Sequence, residues 1–298
     1  MSVSDALLTV ALRDGARSIV VVGTAKNVGK TVAFNALRRA AARRGLPIAV
    51  TSIGRDGEPS DALDGLPKPR VTLAAGTFVA LPAQLVPRSP ALEVLDLGEP
   101  SALGPIVFAR VRIATTCEIG GPPTARGVRA TIDRLRALAS GPVVVDGAID
   151  RIAPLAGGDD AIVLATGAES GASIDAVAAL ARETIARLTI PGRDSEREST
   201  AVIRFSGALA VRDAEELLAA ARGATVVVDD PTRIAVRGRL FERLREAVDL
   251  RCERPLRVVA CTTSSFGRAR SLDPRELAVA VKRATKLPTF DVVAEFAA

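Results

Sequence analysis

Ser18-Ile19-Val20-Val21-Val22-Gly23-Thr24-Ala25-Lys26-Asn27-Val28-Gly29-Lys30-Thr31 is the stretch that decides how the chain folds. Ser18 to Val22 is a short, mostly β-branched run, the composition of a strand buried on both faces of a sheet. A helical pattern follows Thr31. Ala33, Leu37 and Ala41 recur on one face with Val32, Ala36 and Ala40 beside them, Arg38, Arg39, Arg43 and Arg44 take the other face, and Gly45 supplies a stop. Ile48 to Ser52 reads as the next strand and enters a polar turn, Gly54-Arg55-Asp56-Gly57-Glu58. Strand, glycine-rich loop, helix, strand is a βαβ unit, and such units build parallel sheets.

The loop between that strand and helix carries a chemical expectation. A glycine-rich turn there points successive backbone N–H groups into a hollow, and the helix N-terminus adds partial positive charge, so a polyphosphate fits. The nucleotide-binding set is Gly23, Thr24, Lys26, Asn27, Val28, Gly29, Lys30 and Thr31. Gly29 allows close backbone approach, Lys30 reaches the β/γ-phosphate oxygens, and the Thr31 hydroxyl ligates Mg²⁺. The usual spacing places four residues between the first glycine and the Gly-Lys pair; five separate Gly23 from Gly29. The competing reading is a structural turn that meets no phosphate.

A nucleotide site also needs carboxylates for its metal. Asp146 leads, because it follows Val143-Val144-Val145 at the C-terminal end of a strand, where ligands of parallel sheets bind; an Asp there can also simply start a turn. With Lys30 it forms the expected catalytic pair. Asp56 and Glu118 complete the expected metal set with Thr31 and Asp146, although Asp56-Gly57 is equally a turn signal. Lys26 has three readings: it neutralises charge on leaving phosphate oxygens, reaches a partner's nucleotide, or is a solvated lysine. Arg55 is a second candidate phosphate clamp.

Strands and helices alternate through the remainder, which argues for an α/β protein with a mostly parallel sheet covered by helices and a second α/β portion. Helices are expected near 126–139, 174–188, 212–222, 239–249 and 274–285, and strands near 142–145, 161–165, 201–205, 225–228, 256–260 and 289–293. Residues 1–190 read as one nucleotide-binding domain with an irregular Pro- and Gly-rich insertion at about 59–105, carrying small strands. Pro191 to Thr200 reads as a linker, and 201–298 as a C-terminal α/β domain or an extension of the first sheet. Thr262-Thr263-Ser264-Ser265-Phe266-Gly267 could meet an anion or serve as a plain strand-to-helix connection, and Asp229-Asp230 could bind a cation; neither joins the expected site.

Composition removes whole mechanisms. The chain has no histidine, which excludes Ser-His-Asp and Cys-His catalysis and imidazole metal sites. Cys117, Cys252 and Cys261 are too scattered for a zinc or disulfide framework. The net charge is +6, yet only five of the forty basic residues are lysine, the arginines are dispersed, and phenylalanine is the sole aromatic. Solvated helix faces explain that charge better than a nucleic-acid surface, so no nucleic-acid partner is expected. No apolar run is long enough to span a bilayer and nothing reads as a signal peptide, giving a cytoplasmic, membrane-free expectation.

The loop resembles the G-T-x-x-x-V-G-K-T loop of dethiobiotin synthetase and the cobyrinic acid amidases, P-loop ATPases, through Gly23, Thr24, Val28, Gly29, Lys30 and Thr31. That family has an acidic residue where this chain has Ala25 and Lys26, and a carbamate-holding lysine at the end of the second strand, where this chain has Thr51-Ser52-Ile53-Gly54-Arg55. A wider resemblance runs through Lys26-Asn27, Gly29-Lys30-Thr31, Thr51 to Glu58, Leu66-Pro67-Lys68-Pro69-Arg70, Gly76-Thr77 and Val145 to Arg151. It is to the small reactivase accessory subunits of lysine 5,6-aminomutase, an enzyme that uses adenosylcobalamin and pyridoxal phosphate. The resemblance implies ATP and Mg²⁺ as cofactors, weak ATP hydrolysis, and a larger ATPase subunit and the aminomutase as partners, with a homodimer compatible. The alternatives are an ATP-dependent ligase or small-molecule kinase of the dethiobiotin-synthetase type, and a scaffold with a vestigial loop.

Overall fold

A computed structural model describes residues 1–53, 71–147, 152–194, 201–268 and 270–298. In chain order the elements are α1 (Val3–Ala11), β1 (Ser18–Gly23), α2 (Lys30–Arg43), β2 (Ala49–Ser52), β3 (Val71–Leu73), β4 (Phe78–Pro82), β5 (Leu92–Leu97), β6 (Ile106–Val111), β7 (Thr115–Cys117), α3 (Ala125–Leu138), β8 (Val143–Asp146), β9 (Ala161–Gly167) and α4 (Ile174–Leu188). There follow β10 (Val202–Phe205), α5 (Val211–Ala220), β11 (Thr225–Val228), α6 (Gly238–Ala247), β12 (Asp249–Cys252), β13 (Val258–Ser264), α7 (Pro274–Thr285), β14 (Thr289–Asp291) and β15 (Phe296–Ala297).

The main sheet runs β15-β14-β13-β9-β1-β8-β2-β4-β6-β5. From β14 to β4 every neighbouring pair is parallel; β15, β6 and β5 join antiparallel at the two margins. The β-branched run therefore becomes the middle of a large α/β sheet. All six residues of β1 are buried, and the two faces divide them by the period-2 rule. Ile19 and Val21 pack with Leu7 and Leu8 of α1 and Phe34 and Leu37 of α2. Val20 and Val22 pack with Ile132 and Leu135 of α3, Val177 of α4 and Leu277 of α7. Each fully buried aliphatic side chain is worth roughly 1.5–3 kcal/mol, so the packing of β1 from both sides fixes the loop that leaves it.

Three sequence expectations change. Within the insertion expected at about 59–105, the small strands are part of the main sheet: β4 pairs parallel with β2, and β6 and β5 follow antiparallel. Pro- and Gly-rich turns between short strands disguised the regularity. The stretch 201–298 divides: β10, β11 and β12 form their own parallel sheet under α5 and α6, while β13, β14 and α7 return to the main sheet beside β9. The helix expected to reach Asp249 stops at Ala247, and 249–252 is the strand β12.

Helix α1 was not expected, although its signal was present. Ser2 and Asp5 form a reciprocal capping box, with Asp5 N–H donating to Ser2 Oγ at 3.2 Å and Ser2 N–H donating to Asp5 Oδ2 at 3.2 Å. Among the described residues no helix is long and apolar enough to cross a membrane.

Candidate functional site

Parallel neighbours bring several strand ends to one edge. Asp146 stands opposite Val21 of β1 and Ser52 of β2, and Gly23 stands opposite Ala165 of β9. The turns beyond are stitched together: Gly147 N–H donates to Val21 O at 2.9 Å, Ile53 N–H to Asp146 O at 2.8 Å, and Thr24 N–H to Ala165 O at 3.0 Å.

Two residues of the loop take the left-handed conformation, Asn27 at φ 57° and Gly29 at φ 88°. Gly29 is the N-cap of α2 with no side-chain cap, so the first backbone donors of that helix face the loop without a side-chain acceptor. Val28 is buried in the α1–α2 core, which leaves its backbone alone for a ligand. Lys26 and Asn27 are exposed, and Thr31 is half-buried in the first turn of α2.

Lys30 bends back over its own loop. A Cβ on Gly23 would lie 2.9 Å from Lys30 Cγ and Cδ and 2.8 Å from Val28 Cγ2, so only glycine leaves room for the lysine stem. Lys30 Nζ donates to Ala25 O at 3.2 Å, which sets the ammonium within the bend. Asp146 lies close enough to feel it. Burial pushes the Asp146 carboxyl up to about 6, and the Lys30 charge pulls it the other way. Asp146 Oδ1 is buried and has no hydrogen-bond partner among the described residues. A buried carboxylate oxygen left unpaired is costly, so a cation, a metal-bound water or another donor there would be welcome.

The structure thus brings together Gly23, Thr24, Lys26, Asn27, Val28, Gly29, Lys30, Thr31 and Asp146. Glu118 follows β7 on the two-stranded β3–β7 sheet, in a loop whose Gly120 packs against Pro82 at the end of β4. It helps burial push the Cys117 thiol up to about 11. Arg55, Asp56, the Leu66–Arg70 run, residues 148–151 and most of the expected linker lie outside the described residues.

Sequence reading left the wall beside the loop out of the expected site. Thr24 Oγ1 is 3.1 Å from Thr166 Oγ1 and 2.6 Å from Ser170 Oγ, so one hydroxyl at the end of β9 and one just beyond it hold the first turn of the loop. Ser264, at the end of β13, approaches so closely that a Cβ on Gly29 would sit 3.0 Å from its own Cβ. Thr262 to Gly267 carried the sequence reading of a possible anion contact, whereas Thr166 and Ser170 gave only the signal of hydroxyls at the end of an apolar strand.

Among the described residues no group of three or more His, Cys, Asp or Glu could hold a metal. All three cysteines are free and buried, and burial pushes the Cys252 and Cys261 thiols up to about 12, far from a reactive thiolate. Comparison with protein-family models, curated proteins and solved structures finds no match.

Proposed function

We propose that the Gly23–Thr31 bend is a P-loop that binds ATP with Mg²⁺, and that the chain serves as an ATP-dependent accessory component of an adenosylcobalamin-dependent lysine aminomutase. The observation that carries the nucleotide reading is the nearness of the Lys30 ammonium, folded into the bend, to the Asp146 carboxyl, whose buried Oδ1 has no hydrogen-bond partner among the described residues. Backbone N–H groups at the start of α2 bind phosphate oxygens, and Lys30 leaves Ala25 O to neutralise the β/γ-phosphates. Thr31 and Asp146 hold the metal shell, directly or through water. Mg²⁺ supplies charge neutralisation across the phosphates when bound. Positioning and electrostatic clamping dominate phosphoryl transfer, so hydrolysis by this chain alone is slow and a partner can accelerate it by adding charge.

The aminomutase assignment rests on the resemblance of the loop, the end of β2 and the stretch after Asp146. The ligase reading shares the loop but requires a substrate lysine at the end of β2, where Thr51 Oγ1 is engaged with Ala80 O at 3.0 Å and Ser52 follows. The accessory reading is therefore placed first. Its test mixes the chain and its larger companion subunit with inactivated lysine 5,6-aminomutase. Recovery of turnover that needs Mg·ATP is the expected result. Nucleotide binding with no effect on the aminomutase would discard the partner and keep the loop.

A further inference from the structure

The loop after β13 carries an aromatic ring at a place that the packing of the fold does not explain. Of eight phenylalanines, seven are buried or partly buried, while Phe266 is 62% exposed. It is not on a loose tip. Phe266 bridges Ser271 across a tight hairpin, with Gly267 N–H donating to Arg270 O at 2.9 Å and Leu272 N–H to Ser265 O at 2.9 Å.

The hairpin is clamped to the turn after β9. Arg268 N–H donates to Glu169 Oε1, and an Arg270 guanidinium N–H donates to Ala172 O at 2.7 Å. That turn also holds Ser170, which bonds Thr24 in the nucleotide loop. Ser264, two residues before Phe266, touches Gly29. A rigid path of hydrogen bonds and contacts thus joins the ring to the loop. Ser264 touches the loop at Gly29 and Phe266 follows two residues later, roughly 7 Å along an extended chain. A nucleotide whose phosphates occupy the bend can reach that far with its base.

Resting on the nucleotide reading above, we infer that Phe266 is the base platform of the site, a ring face on which a purine stacks. The hairpin's backbone donors at Gly267, Arg268 and Leu272 are already engaged, so the platform offers the base a π-face instead of an edge-reading donor. Stacking of this kind tolerates base identity. The ligand class is accordingly a purine nucleoside triphosphate with weak discrimination between adenine and guanine.

The test is titration calorimetry of the parent chain, Phe266→Ala and Phe266→Trp with Mg·ATP, Mg·GTP and Mg·tripolyphosphate. Phe266→Ala is expected to weaken ATP about tenfold while leaving tripolyphosphate unchanged, and ATP and GTP should differ by no more than about threefold in the parent. Phe266→Trp should restore affinity. Because the chain has no other tryptophan, its emission should be quenched by ATP and not by tripolyphosphate. Equal ATP affinity in Phe266→Ala and the parent would overturn the platform and leave the loop reading standing. Parallel loss of tripolyphosphate in that variant would also overturn it, by showing damage to the loop itself. A parent chain that binds none of the three ligands would remove both readings.

Discussion

Asp146→Asn asks whether the carboxylate at the end of β8 serves a ligand or the fold. Burial holds its carboxyl at about 6 against an ordinary 3.8, with the Lys30 ammonium opposing the rise. A folded state that holds a proton more tightly than the unfolded chain gains stability at low pH. That gain is complete below the ordinary value of 3.8 and is lost as pH rises through about 6. A displacement of roughly two pH units at 1.36 kcal/mol each means that the ionised carboxylate costs the unliganded fold about 3 kcal/mol at neutral pH. Asparagine has nearly the same shape and no charge, but its amide is left underbonded, which returns about 1 kcal/mol of that cost. The variant should therefore exceed the parent by about 2 kcal/mol near pH 7.5, a rise in Tm of about 3 °C for a chain of this size. Near pH 4.5, where the parent carboxyl is protonated in the fold, the two melting curves should nearly coincide. Thermal unfolding monitored by circular dichroism at both pH values measures this. A variant that melts below its parent at both pH values would refute the reasoning, because it would show that the carboxylate has a structural partner.

The other expectations concern the same edge and its opposite. Mg·ATP affinity should fall on acidification below about pH 6, approaching tenfold per pH unit, as the Asp146 carboxylate takes a proton; a flat calorimetric profile would exclude it from the metal shell. Gly23→Ala should cost about 1–3 kcal/mol by overpacking Val28 and should weaken nucleotide binding at least tenfold by displacing the Lys30 stem, as read by denaturant melts and calorimetry. At the far edge of the sheet, Asp160 is fully buried and accepts from Arg129 Nη2 at 2.6 Å and Arg136 Nη2 at 2.8 Å. Asp160→Ala should destabilise the chain by about 1.5–3 kcal/mol in urea titrations, since it removes the buried acceptor of two guanidinium groups that keep Pro154 O and Asp159 as partners, while a properly folded fraction keeps its nucleotide affinity.

The βαβ start was legible because each local signal agreed: β-branched residues before Gly23, a helical stripe after Thr31, and a buried strand ending in Asp146. The pairing of β4, β6 and β5 with the main sheet was not, because runs of five and six residues between Pro- and Gly-rich turns do not record which strand they join. The return of β13 and β14 to the main sheet was hidden for a different reason. Alternating strands and helices look the same whether the next strand joins the old sheet or begins a new one. The site shows the same division. Its glycines, lysine and aspartate follow from one continuous motif and one strand end, whereas Thr166, Ser170, Ser264 and Phe266 arrive from strands distant in sequence, and only the order of strands places them beside the loop.

The most direct measurement is calorimetric titration of Mg·ATP into the parent chain and into Lys30→Ala, with folding of both verified by thermal melts. Saturable binding at one site per chain is expected for the parent, and Lys30→Ala should lose at least a hundredfold in affinity, about 2.7 kcal/mol. Undiminished binding in the variant would mean that the Gly23–Thr31 bend does not hold the phosphates, and an unresponsive parent would mean that it holds none.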